Sequence, residues 1–462
     1  MIAWVPELLY TERRFASGRA LVCDEAGTIV KVARVDELTN EKRINLARRA
    51  MLPGMVNAHS HAFQRVIRGR TEYRTSERDS FWTWREMMYS AATRLTPEDI
   101  YDASRMAFLE MALSGITAVG EFHYLHHAPD GKPYDDPNLL AKEVVRAAGD
   151  VGLRIALLRV AYARSGLQTE PNPKQARFIE SAAEDYLKNL ESLAGDVGSS
   201  NDAWVGVAPH SVRAVPLSYL KEVIGYANDH ALKIHMHVAE QPAEVSACVA
   251  EYGRSPFALL ETEGLLSNRF TAVHAIHVTP KSIPSFAQTG AMVCACPTTE
   301  RNLGDGVVPA DEYLKYNVSI CLGTDSHVQI DLMEDAREIE YHLRLQRLER
   351  AVLDRPDSNG KPQGLAAKLF DCATINGAQS IGATNGALTP STPADFFTLD
   401  LDDSALAGST ENDLLAAIVF SSCRAAVREV VVNGKPIVSE GRHLIQEEVV
   451  ERFADLQKRL WN

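Results

Sequence analysis

Two histidines, His59 and His61, close a short apolar run that begins at Pro53-Gly54. Residues two apart on a β-strand point to the same side, so both imidazoles can face one point in space. Further along stand a third imidazole, His237, and a carboxylate, Asp325. Three imidazoles and one carboxylate suit Zn²⁺, with a coordination position left for water. Zinc lowers the pKa of the water it binds and so supplies a nucleophile near neutral pH. Glu240 lies three residues beyond His237 and can carry a proton between that water and a leaving nitrogen. His274 can orient or stabilise the attacking oxygen, and Asp325 can accept the first water proton as well as bind the metal. The metal candidates are therefore His59, His61, His237 and Asp325, and the catalytic candidates Glu240, His274 and Asp325.

Such residues work only if separate elements carry them to one place. Apolar, strand-like runs cover residues 52–61, 115–124, 153–162, 203–210, 233–240, 270–278, 291–298 and 319–326. Helical patterns fill most gaps, as at 97–114, 138–151 and 174–193. Continuous apolar strands alternating with helices indicate parallel strands buried on both faces. Eight of them predict a closed (β/α)8 TIM-like barrel over an open doubly wound sheet, and no GxGxxG follows an early strand. In such a barrel the chemistry sits at the C-terminal strand ends. The candidates fall there: His59 and His61 end the first run, His237 and Glu240 the fifth, His274 lies in the sixth and Asp325 ends the eighth. Residues 1–51 and 389–462 show short β-like runs, with an Asn433-Gly434 hairpin signal, and are expected to build one small β-sandwich from both termini. The barrel would occupy 52–388, with 355–364 its most loop-like interior stretch.

The chain of 462 residues is 45% hydrophobic and 24% charged, an ordinary globular composition. Its net charge of −13 argues against nucleic acid, which needs a basic face. No apolar run is long enough for a transmembrane helix, and the N-terminus lacks a secretory pattern. Seven cysteines without framework spacing fit a reducing cytoplasm, and Cys294 and Cys296 read as small core residues. His123, His126, His127, His230, His342 and His443 read as structural, and His235 as packing or as support for the ligands; His277 and His327 are left unassigned. No lysine stands in the fourth run to bridge a second metal, so one zinc per chain is expected.

Four motifs carry a family resemblance: Pro-Gly-Met-Val-Asn-Ala-His-Ser-His ending at His61, His235-Met-His-Val-Ala-Glu240, Val273-His-Ala-Ile-His277 and Gly323-Thr-Asp-Ser326. Together they resemble the amidohydrolase superfamily, in its mononuclear deaminase branch. Ala378, Gly386, Leu388, Ala394 and Asp395 match that family's return from barrel to sandwich. A narrower likeness, carried by Ser-Phe-Trp-Thr-Trp-Arg-Glu-Met-Met-Tyr ending at Tyr89 and by His61-Ala-Phe-Gln-Arg65, is to the formimidoylglutamate deiminases of histidine degradation. It implies hydrolysis of N-formimidoyl-L-glutamate to N-formyl-L-glutamate and ammonia, by a homodimer. It also implies that Gln64, Arg85, Tyr124, His210 and Arg213 hold the substrate. Two arginine forks suit a dicarboxylate. Trp82 and Trp84 read as packing. Two other readings stand beside this one: an aminohydrolase of the same branch acting on a nucleobase or other aromatic amine, and a non-catalytic zinc-binding scaffold.

Overall fold

The computed structural model describes residues 1–74, 80–198, 202–354 and 364–462. Apart from Gly364, the expected loop at 355–364 lies outside the described residues. Eight parallel strands form the central sheet: β1 (Met55–Ser60), β2 (Ile116–His123), β3 (Arg154–Ala161), β4 (Ala203–Pro209), β5 (Ile234–Val238), β6 (Phe270–His274), β7 (Met292–Ala295) and β8 (Ile320–Leu322). They neighbour one another in sequence order. Apart from the start of β4, every residue in them is buried, as sheets covered by helices on the outside and packed within require. Among the described residues, closure comes from one parallel bridge between Ser60 and Asp325. There the His61 amide donates to the Asp325 carbonyl and the Asp325 amide to the His59 carbonyl, both at 3.1 Å. The ladder that closes the ring thus runs through three of the four expected metal ligands.

The crossover helices are set by local chemistry. Thr96 caps the helix Pro97–Leu113: its hydroxyl accepts from the Asp99 amide, and the Asp99 carboxylate accepts back from the Thr96 amide. That reciprocal pair, with proline at the first helical position, is a strong helix start.

Both termini build the second sheet, as expected, and it is mixed. The N-terminal strand Ile2–Thr11 pairs parallel with Lys42–Pro53, which pairs antiparallel with the C-terminal strand Phe396–Asp400. Trp4 and Phe396, from opposite ends of the chain, meet edge-on at 5.1 Å between ring centroids. Asp395 ties this sheet to the barrel. Its buried carboxylate accepts from Arg154 at the start of β3 (3.2 Å) and from the Asn433 amide (2.7 Å), and its carbonyl accepts from Gly54 (2.9 Å). Not all of 389–462 belongs to the sheet. Gln446–Trp461 forms a helix lying along Pro97–Leu113 on the barrel, joined to it by Arg105–Glu448 (2.8 Å) and Arg459–Asp99 (2.7 Å). Among the described residues no helix is long and apolar enough to cross a membrane.

Candidate active site

The four expected ligands converge at the C-terminal mouth of the barrel, their nearest ligand atoms all within 4.8 Å of one another. His59 Nε2 and His61 Nε2 are 3.2 Å apart, and lie 3.3 and 3.1 Å from Asp325 Oδ1. His61 donates from Nδ1 to the Phe122 carbonyl (2.9 Å), and His237 donates from Nδ1 to the His210 carbonyl (3.1 Å). A carbonyl only accepts, so each ring carries a proton on Nδ1 and turns Nε2 toward the cluster. Burial pushes His59 down to about 3, and burial, with neighbouring histidines, holds His237 well below the usual range. Three imidazoles and a carboxylate facing one point are the donor set a divalent cation needs. The residues fit such an ion.

Backbone shape aims the other reactive groups. Ala239, His274, Asp325 and His327 all have positive φ, between 46° and 67°, where a side chain other than glycine is strained. All four stand just past or at the end of a barrel strand. His274 Nε2 lies 3.7 Å from Glu240 and 3.9 Å from Asp325, while its Nδ1 is 3.1 Å from Glu300. Burial disfavours a charged imidazole, but Glu240, Glu300 and Asp325 outweigh it and push His274 up to about 10. Burial raises Glu240 against the pull of His274 and Arg213. His274 thus holds its proton opposite Glu240, whose negative charge is the largest of the attractions that keep it there.

A cavity of about 50 Å³ opens over this cluster. Its wall contains His61, His237, Asp325 and Glu240, and also Gln64, Arg85, Tyr124, His210 and Arg213. All five expected substrate contacts therefore share one chamber with the metal candidates. Gln64 donates to the Tyr124 hydroxyl at 2.7 Å. The Arg85 guanidinium lies 4.4 Å over Trp82 and 5.4 Å from the Tyr89 ring. Among the described residues neither Arg85 nor Arg213 has a carboxylate at ion-pair distance, and the buried Arg85 Nε and Arg213 Nη1 lack partners. Trp84, expected to be packing, lines the chamber with Phe81 and Phe178, whereas Trp82 stays outside as the platform for Arg85.

Several residues of the site escape a reading of the sequence. Three buried glutamates stand behind the reactive groups. Glu300 accepts from the Cys296 amide (2.8 Å) and faces His274; Glu244 accepts from the Ala239 and Glu240 amides (both 3.2 Å). Glu121 accepts from the Ser60 hydroxyl and the Ala62 amide. Burial pushes Glu121 and Glu244 up to about 7. His327, unassigned from sequence, belongs to a one-way chain of hydrogen bonds. Asn57 donates to Thr324 (2.7 Å), Thr324 to His327 (3.0 Å), His327 to Ser60 (3.0 Å), and Ser60 to Glu121. The chain binds β1, β2 and the end of β8 together directly behind the ligands. His277 accounts for itself structurally, through the Asp305 carbonyl (2.8 Å), and His235 through Ser380 (3.1 Å). Cys294 and Cys296 are buried thiols that burial raises well above their ordinary range.

Comparison with known proteins agrees with this geometry. A family model described as "Amidohydrolase family" matches residues 50–437. A formimidoylglutamate deiminase of Pseudomonas aeruginosa is 37% identical over 88% of each chain. A 5-methylthioadenosine/S-adenosylhomocysteine deaminase of Pyrococcus abyssi is 27% identical over 96% of each. Among solved structures, an amidohydrolase from Brucella melitensis superposes with a TM-score of 0.88 at 32% identity, covering 100% of both chains. An adenosine deaminase from Xanthomonas campestris with bound zinc gives 0.84 at 21% identity, covering 99% of this chain and 98% of that one.

Proposed function

The chain belongs to the amidohydrolase family, and from that premise we propose that it hydrolyses N-formimidoyl-L-glutamate to N-formyl-L-glutamate and ammonia, with one zinc per chain, in histidine degradation. The observation that carries this reading is the pair of unpaired arginines, Arg85 and Arg213, in the same chamber as the metal candidates. A guanidinium fork in a chamber wall with no carboxylate at ion-pair distance is open to the carboxylate of a ligand. Two such groups call for two carboxylates, which formimidoylglutamate has. The named activity of the Pseudomonas relative points the same way.

A zinc ion held by His59, His61, His237 and Asp325 would activate water and polarise the formimidoyl group. The chain does the rest. Arg213 and Arg85 hold the carboxylates, so that the formimidoyl carbon faces Asp325 and Glu240. Asp325 accepts the proton of the attacking water. His274, charged and fixed by Glu300, stabilises the oxygen that gains negative charge. Glu240 passes a proton to the imine nitrogen, and the proton that Asp325 took from water follows it; the carbon–nitrogen bond then breaks, ammonia leaves, the added hydroxyl returns its proton to Glu240, and the carbon keeps the water oxygen as a formyl group. We also propose the cytoplasm as its compartment and a homodimer as its assembly, as the likeness implies.

The aromatic wall of Phe81, Trp84 and Phe178 favours a second reading, deamination of a heterocyclic amine. Such a substrate would leave both guanidiniums unanswered. A scaffold without activity has no use for Glu240 and Asp325 facing His274 in a chamber. The test is ammonia release by zinc-loaded protein from N-formimidoyl-L-glutamate, beside other formimidoyl amino acids and nucleobases. We expect the glutamate derivative to be turned over best. Arg85→Ala and Arg213→Ala should each lower kcat/KM by about two orders of magnitude, the usual cost of leaving a buried charge unpaired. Turnover of an aromatic amine alone would replace this reading with the second.

A further inference from the structure

We propose that Glu244 is a positioning residue, which fixes the turn that carries Glu240 into the chamber. The inference rests on Glu240 as the proton carrier of the preceding reading. β5 ends at Val238, one residue beyond the metal candidate His237, and the chain then turns through Ala239 at φ 54°. A left-handed alanine is held there only if its surroundings insist. The carbonyls of Val238 and Ala239 are taken by the amides of Ala275 (3.0 Å) and His277 (2.9 Å), next to His274. The two amides of the turn, on Ala239 and Glu240, are buried and need acceptors of their own. Glu244, in the first turn of the following helix Pro242–Tyr252, reaches back and gives one oxygen to each, at 3.2 Å.

Both oxygens being spent on main chain, Glu244 does not compete with Glu240 for substrate protons. One carboxylate thus satisfies the turn that aims the proton carrier.

The test compares Glu244→Gln and Glu244→Asp with wild type as zinc-loaded holoenzymes, with rates expressed per zinc-bound folded site. Glutamine offers one acceptor oxygen to two amides and turns an NH₂ toward the other. A displacement of Glu240 by about an ångström should lower kcat on the order of 100-fold, with KM changed much less. Aspartate restores two acceptors on a shorter arm and should recover part of the loss. E244Q with wild-type kcat per site, whatever its melting temperature, overturns the proposal. So does a crystal structure of E244Q in which Glu240 has not moved. Rates are taken on whichever compound of the substrate panel the wild type turns over. If that compound is an aromatic amine, the formimidoylglutamate reading fails while the Glu244 test proceeds, because both reactions need a proton delivered to nitrogen.

Discussion

At the scale of single residues the site is governed by buried charge, and His274 shows it most directly. Three carboxylates face one imidazole that has no contact with bulk water. Their attraction exceeds the cost of burial, so the ring holds its proton through neutrality and can stabilise a developing negative oxygen. If activity needs that imidazolium, it is lost as pH rises through the pKa of His274. Glu300→Gln removes one of the three charges and keeps the shape. Its effect has a definite sign: the pKa falls, so the alkaline limb of the kcat/KM profile moves to lower pH. A metal ion next to His274 lowers the pKa of both proteins alike, so the comparison of the two holoenzymes reads the shift. We expect a displacement of about one pH unit, the size of one ordinary charge interaction at short range. Coincident profiles would mean that His274 is neutral in catalysis or takes no part. Glu300 also illustrates what sequence leaves hidden. His59 and His61 are legible because period two on a strand forces them to one side. Glu121, Glu244 and Glu300 carry no such sign. Glu244 and Glu300 sit in the first turns of helices, where acidic residues are common simply because they suit the helix dipole. Only burial, created by distant elements, shows that their oxygens face inward to main-chain amides.

At the scale of elements, the eight strands were legible as eight apolar runs, because strands covered on both faces lack alternation and stand out from the amphipathic helices between them. What no periodicity encodes is which surface an amphipathic helix covers. The pattern Val449, Phe453, Leu456, Leu460 marks one face of a helix. That this face lies on the barrel instead of beside the terminal sheet follows from the ion pairs and from Gln457 and Trp461, which both donate to the Val66 carbonyl (2.9 and 3.2 Å) just past the first ligand pair. The seam between β8 and β1 is likewise a property of two elements at once. Gly323 follows β8, and a Cβ on it would come within 2.6 Å of the His59 Cβ and 2.8 Å of the His59 carbonyl oxygen. Those atoms belong to the ladder that closes the ring, so His59 has little room to retreat. Gly323→Ala should therefore destabilise the protein by about 1–3 kcal/mol, as overpacking does. It should also weaken metal binding, measured as zinc retained on dialysis against a weak chelator. Wild-type zinc retention with a lower melting temperature would show that the seam yields elsewhere and that His59 keeps its place.

At the scale of the molecule, metal binding and barrel closure are one problem. The ligands come from β1, from β5 and from the turn after β8, so no single element contains the site. The unfolded chain, with His59 and Asp325 hundreds of residues apart, cannot assemble it. An ion that binds only the folded state stabilises that state by mass action, about 4 kcal/mol when free metal exceeds its dissociation constant a thousandfold. His59, His61 and Asp325 lie 3.1–3.3 Å from one another beside the bridge that joins β8 to β1, so an ion held by them also ties the closing seam together. Chelation should accordingly lower the melting temperature, by on the order of 5 °C for a chain of this size. Zinc added back should restore it saturably. The same addition to His237→Ala should restore much less, because β5 is then no longer tied to the seam. Calorimetry of the chelated and zinc-restored proteins, with hydrogen exchange followed over β1 and β8, reads both effects. A chelated protein that melts with the holoenzyme and protects those strands equally would show that the closing ladder holds without the ion, and that the four side chains are arranged for chemistry alone.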